Sequence, residues 1–274
     1  MTRLTDDQWQ SYETDGYLFL GRLLDDEQLR ALQQRIDDIM LGTAAIDYDR
    51  TMMQLDSDSG DYGDLGEQTK GHKGATLNYR KIQDLEWDAL FLKYIQHPLL
   101  QDICRRVYGD DAPVSCFRAM FFNKPAGRGT MLPWHQDRWN DLDRDPQVTI
   151  WTALDPATAQ NGCVQIIPGS HRELINPDHP SAFLTEEQAD THCSGEPVHL
   201  ELQPGEVMLL HNWLLHSSDV NRSEGSRRAF STCYMDATTT YTDGRATKFP
   251  IVVGDGSLTV DSAEKVIDPA LATR

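Results

Sequence analysis

Apolar positions recur at helical intervals up to about residue 112 and in short strand-like runs after Pro113. That change of period predicts a helical layer followed by a β-rich body. Thr5 with Gln8 three residues on has the form of a capping box, so a first helix is expected to run to Thr14 before Asp15-Gly16 interrupts it. Tyr17-Leu18-Phe19-Leu20 is of strand length. Asp25 and Asp26 then stand where a helix dipole favours negative charge, ahead of a stripe of Leu29, Leu32, Ile36 and Ile39. Residues 42–74 are rich in Gly, Asp and Ser with little periodicity, which predicts a long mobile loop of the kind that covers active sites. Within it, Asp56 to Glu67 spaces its acids like a calcium loop, but Asp61 occupies the sixth place, where the sharp turn needs Gly. Trp87, Leu90, Phe91, Tyr94 and Ile95 return to helical spacing, and Pro98 opens a further helix carrying Leu99, Leu100, Ile103 and Val107.

Strand-like segments then follow one another, separated by Pro, Gly, Asn and Asp: Val114 to Phe122, Gln147 to Leu154, Cys163 to Ile167, Val198 to Leu202, Val207 to His211, and Arg228 to Met235. Such a succession is what a double-stranded β-helix, or jelly roll, produces. The expected fold class is α+β, a cupin-like jelly-roll barrel with an N-terminal helical layer. One unit would span 1–274, with the helical layer and lid loop in 1–112, the jelly-roll core in 113–240 and a C-terminal extension in 241–274.

Charge narrows the function. Twenty-five Lys and Arg against 43 Asp and Glu give a formal net charge of −18, a field that repels phosphate backbones and anionic lipid. Neither nucleic acid nor a membrane surface is therefore an expected partner, and no apolar stretch approaches the ~20 residues of a membrane span. The N-terminal segment lacks the basic and apolar regions of a secretory signal, and the five cysteines form no CxxC pair. A soluble protein of the reducing cytoplasm is expected.

The most informative segment is Pro133-Trp134-His135-Gln136-Asp137. On extended chain, His135 and Asp137 share a face, so an imidazole nitrogen and a carboxylate oxygen can bind one ion. Alone, this spacing also suits a hydrogen-bonded surface pair. A second histidine lies in the apolar stretch from Glu206 to Ser218, where His211 and His216, five positions apart, face opposite ways on a regular strand. If the turn-rich Asp219 to Ser226 reverses the chain as a hairpin, His216 lies across from Arg227. Two imidazoles and a carboxylate leave one face of an octahedral ion open, the arrangement of non-heme iron(II) oxygenases. A chelating acid could fill two open positions and present its far carboxylate to Arg227, whereas Arg228 faces the other way. A zinc or manganese isomerase or hydrolase would leave Arg227 without an obvious partner.

These residues carry a family resemblance. His135-Gln136-Asp137, Trp151-Thr152-Ala153, Asn161-Gly162-Cys163, Pro168-Gly169-Ser170-His171, and His216 followed by Asn221 and Arg227 resemble the phytanoyl-CoA dioxygenase family of iron(II)- and 2-oxoglutarate-dependent oxygenases. Lys81-Ile82-Gln83-Asp84 and the segment from Met120 to Pro125 extend the resemblance upstream. It implies His135, Asp137 and His216 as iron ligands and Arg227 as anchor of 2-oxoglutarate, with Lys81, Met120, Gln136, Trp151 and Ser218 lining the cosubstrate pocket. The implied reaction consumes 2-oxoglutarate and O2, releases succinate and CO2, and hydroxylates a C–H bond. Relatives that halogenate replace the carboxylate of Asp137 with a small residue, so its presence argues for hydroxylation. Trp134, Arg138, Trp139 and Trp213 flank the ligands and are expected to shape the substrate pocket. A CoA ester would need a local basic patch, for which Arg105, Arg106 and Arg118 are candidates, so a non-CoA small or medium metabolite is expected. A jelly-roll binding module without turnover is the alternative.

Overall fold

Residue 113 divides the molecule less sharply than its sequence pattern does. The computed structural model describes residues 2–245 and 249–267. Helices α1 (Asp6–Asp15), α2 (Asp26–Leu41), α3 (Ala89–Ile95) and α4 (Pro98–Tyr108) form the expected layer. The first two begin at capping boxes, Thr5 with Gln8 and Asp25 with Gln28, which satisfy amide donors that a helix start leaves open. Each ends on a glycine in the left-handed region, Gly16 and Gly42, where another side chain would be strained. The α2 stripe of Leu29, Leu32, Ile36 and Ile39 is buried. Each such side chain contributes about 1.5–3 kcal/mol of burial.

The same N-terminal region also supplies strands β1 (Tyr17–Arg22), β2 (Met52–Leu55), β3 (Thr69–Lys70) and β4 (Tyr79–Ile82). They extend a sheet built on β5 (Val114–Lys124), β7 (Val148–Ala153), β10 (Glu206–His211) and β12 (Arg227–Asp236). Among the described residues its order is β1–β10–β7–β12–β5–β4–β2–β3, with β13 (Ile251–Val253) also on β5. A smaller sheet runs β6 (Leu132–His135), β11 (His216–Ser218), β8 (Val164–Ile166) and β9 (Val198–His199). Both sheets are antiparallel and line one pocket between them, the double-stranded β-helix arrangement. Helices α5 (Glu186–His192) and α6 (Val260–Ile267) complete the elements.

Two expectations are corrected. Residues 42–74 are not a loop throughout: Met53 pairs with Ile82 and Gln54 with Lys81, and Met53 is fully buried. Strands this short have no readable alternation, and their pairing comes from β4 rather than from local sequence. Nor do β11 and β12 form a hairpin. They lie in opposite sheets, His216 pairing with His135 and Ile166, and Arg227 pairing with Lys124. The crossing chain is pinned by Asn221, whose amide donates to the Lys124 and Gly225 carbonyls. Two further histidines pack into the helical layer: His97 accepts from the Leu99 amide to cap α4, and His72 packs beside Tyr48 and Tyr79.

Candidate metal centre and cosubstrate pocket

The antiparallel register of β6 and β11 sets His135 against His216, with ring centroids 4.1 Å apart. Each ring is oriented by its own strand, since His135 Nδ1 meets the Pro133 carbonyl at 2.9 Å and His216 Nδ1 meets the Leu214 carbonyl at 2.8 Å. An Nδ1–H donating to a carbonyl leaves Nε2 as the free lone pair, the tautomer a metal needs. Asp137 follows two residues after His135, its amide donating to the Asn212 carbonyl at 2.8 Å. Its two carboxylate oxygens lie 3.9 Å from the two Nε2 atoms, one each. All three donors lie within 4.8 Å of one another. Burial, and next the neighbouring His216, push the His135 imidazole down to about 3, so it stands neutral.

The large sheet forms the pocket floor. Arg118, Met120, Phe122 and Lys124 alternate along β5 and meet Cys233, Ser231, Ala229 and Arg227 of β12 in register. At one end Arg227 is 3% exposed and donates from Nη2 to the Gly162 carbonyl at 3.1 Å, while its Nε and Nη1 have no partner among the described residues. A buried guanidinium with unpaired donors fits an anion supplied from outside the chain. The neighbouring Lys124 ammonium donates to the Thr130 carbonyl and is pushed down to about 6, by burial first and then by Arg227.

A sequence model of the phytanoyl-CoA dioxygenase (PhyH) family matches residues 12–229. The chain belongs to the phytanoyl-CoA dioxygenase family. A probable phytanoyl-CoA dioxygenase of Caenorhabditis elegans is 28% identical over 247 residues, covering 85% of this chain and 76% of its own. Among solved structures, the carbocyclase SnoK from nogalamycin biosynthesis has a TM-score of 0.66 at 19% identity over 92% of this chain and 95% of its own. EctD from S. alaskensis with 2-oxoglutarate and 5-hydroxyectoine has 0.68 at 19% identity, covering 94% and 86%. At these identities the two structures share the fold. Membership makes the chain a 2-oxoglutarate-dependent non-heme iron oxygenase, with iron and 2-oxoglutarate as its cofactors.

Measured against the family resemblance, Lys81, Met120, Trp151, Ser218 and Arg227 line the pocket with the three clustered donors. Gln136 does not. Its amide donates to the Glu173 and Trp213 carbonyls and its oxygen accepts from the Ile175 amide, so it ties three backbone segments together behind the site. Of the four flanking residues, Trp139 lines the pocket, whereas Trp134, Arg138 and Trp213 do not. Trp213 donates to Asp145 at 3.1 Å, and Arg138 lies 3.7 Å from the same carboxylate, so Asp145 draws both away. Arg105 and Arg106 are occupied on α4, by Gln101 and by Asp6, and form no patch with Arg118 inside the pocket. Sequence reasoning missed Arg80, Lys124, Asn212 and Phe183, all of which line the pocket. Lys124 was legible, because it lies four residues beyond Met120 on the same strand and so on the same face. His171 and His211 pair with each other, ring centroids 5.0 Å apart. Among the described residues no helix is long and apolar enough to cross a membrane.

Proposed function

We propose that the protein hydroxylates an unactivated C–H bond of a small or medium organic metabolite, with iron(II) held by His135, Asp137 and His216. The donor set fits that ion: two imidazoles from neighbouring strands and one carboxylate just beyond them match the facial triad of non-heme iron oxygenases. When bound, iron with 2-oxoglutarate and O2 supplies the oxidant, releasing succinate and CO2. Arg227 takes the distal carboxylate of 2-oxoglutarate, and Gly162, Lys124 and Ser218 close that end of the pocket around it. Trp151 lies 5.5 Å under the Arg227 guanidinium and holds its plane. The Pro133 and Leu214 carbonyls fix both imidazoles, and the Asn212 carbonyl fixes the backbone of Asp137. Five free cysteines suit a reducing compartment, and we place the protein in the cytoplasm on that ground.

The observation that carries the reading is Arg227, buried with two unpartnered donors at the far end of a pocket that also holds the triad. Anaerobic iron(II) plus 2-oxoglutarate should give the weak visible absorption of a chelate, and Arg227→Ala should diminish it. A colourless mixture despite bound iron would sink the proposal.

A further inference from the structure

The pocket is cationic in a chain that is otherwise strongly acidic. Among the described residues its wall carries the basic side chains Arg80, Lys81, Arg118, Lys124 and Arg227 against a single acid, Asp137. Elsewhere arginines are met by aspartates: Arg35 by Asp88 at 2.6 Å, Arg106 by Asp6 at 2.8 Å and Arg128 by Asp58 at 2.9 Å. Arg227 and Lys124 share the cosubstrate end. Arg118 stands at the opposite end of the same row of β5, six residues and about 20 Å of extended chain away. There the guanidinium lies 4.8 Å from the Phe117 ring and 5.1 Å from that of Trp139, rings that meet edge-on at 4.7 Å. Among the described residues it makes no ion pair. Aromatic faces stabilise a guanidinium while leaving its N–H edge free to bind.

The backbone also puts Arg118 where it is. The ladder between β12 and β5 slips by one residue, pairing Tyr234 with Cys116 but Cys233 with Arg118. Phe117 is the extra residue of a β-bulge, and without it Phe117 rather than Arg118 would stand opposite Cys233. Cys233 in turn accepts from the Asn212 amide at 3.2 Å, and the Asn212 carbonyl holds Asp137. The Arg118 end therefore lies on the Asp137 side of the pocket, with Arg227 at the other end of the row. The Lys81 ammonium, pushed down to about 7 by burial and next by Arg118 and Arg80, marks how closely these cations gather.

We propose that Arg118 is a specificity-determining residue that receives a carboxylate of the prime substrate. The substrate is then an organic acid, held at one end by a bidentate guanidinium contact while its reactive carbon faces the triad. This inference rests on the oxygenase reading of the site, and its test separates the two.

The full chain is loaded with zinc(II) and saturating 2-oxoglutarate, which is redox-inert and fills the Arg227 end. It is titrated calorimetrically with butanoate, hexanoate and octanoate, the matched primary amides and the matched alkyl phosphates. The expected result is an acid that binds about tenfold or more tighter than its amide. That preference should fall to within about twofold in Arg118→Gln and recover in part in Arg118→Lys, while 2-oxoglutarate affinity in both variants stays that of the parent and shows the pocket intact. Equal binding of every acid and its amide, or a preference that survives in Arg118→Gln, overturns the inference. Tightest binding by the alkyl phosphates overturns the carboxylate assignment. Failure of the parent chain to bind 2-oxoglutarate overturns the cosubstrate reading instead, and the acid-to-amide ratio on the same protein still decides the role of Arg118.

Discussion

The two faces of the large sheet treat charge in opposite ways. On the outer face Arg228 is closed by acids: its Nε and Nη2 donate to the two Asp155 oxygens at 2.8 and 2.9 Å, and its Nη1 to Asp37 of α2. The next residue along the strand, Arg227, points inward and has two donors with no partner. Lys81, Lys124 and Arg118 line the same inner side. Outer-face pairs join the helical layer to the sheet and contribute to folding. Inner-face cations are left open for anions that arrive from outside, at some cost to the ligand-free protein.

The contrast breaks most severely at Arg228. Arg228→Met would strand Asp155 and Asp37 in a partly buried site, and denaturant titration should show stability falling by about 3 kcal/mol, the low end for breaking a buried pair. Its 2-oxoglutarate affinity should stay within about twofold of the parent, because neither acid touches the pocket. Unchanged stability would mean that the outer pairs do not hold the layers together. Asp137→Asn, next in size, removes the one acid of the pocket wall. Iron(II) affinity should drop by more than about 100-fold, since even residues that only orient metal ligands matter by 10- to 100-fold. Melting of the metal-free protein should not move, because Asp137 is partly exposed and, among the described residues, makes no ion pair with Lys or Arg.

Arg227→Met sharpens the comparison, because the two faces predict effects of opposite sign. Affinity for 2-oxoglutarate should weaken by at least about 30-fold, the lower range for removing one partner of a buried charge pair. The ligand-free protein should melt at a higher temperature, since a buried, half-satisfied guanidinium is replaced by an apolar chain of similar length. A lower melting temperature would show that Arg227 contributes to folding as Arg228 does.

Much of this was legible where a local signal decides the outcome. Caps and stripes announced α1 and α2, the long apolar runs announced β5, β7 and β12, and the two-residue spacing of His135 and Asp137 settled their common face. What stayed hidden depended on partners distant in sequence. The pairing of β2 with β4 rests on which strand lies alongside. The crossing from His216 to Arg227 looked like a hairpin because turn residues mark a reversal, and they carry no information about which sheet receives the returning strand. Gln136 is instructive in the other direction. The family resemblance implied a pocket position for it, whereas strand alternation puts it on the face opposite His135 and Asp137, in keeping with its backbone contacts behind the site. Arg227 and Lys81 were named through the family resemblance, but Arg80 stayed hidden because an arginine on a strand ordinarily means solvent, and only the closure of the two sheets makes that face an interior.

One outer-face acid has no cation among the described residues, and a proton takes the cation's place. Glu86, in the turn Leu85–Trp87 beneath β5, is 6% exposed, and its Oε2 has no partner. Burial, and next the charge of Asp84, raise its carboxyl from 4.5 to about 8. Between those values the folded chain holds a proton that the unfolded chain has released. The stability this proton supports is present in full below 4.5 and is lost as pH rises toward 8, at no more than about 1.4 kcal/mol per pH unit. Glu86→Gln keeps the shape and removes the titration. The unfolding free energy of the variant minus that of the parent should therefore grow steadily from the acid to the alkaline side of that window, as read by urea titrations at several pH values within it. A gap that stays constant would place a counter-charge beside Glu86 and make the two faces less different than they look.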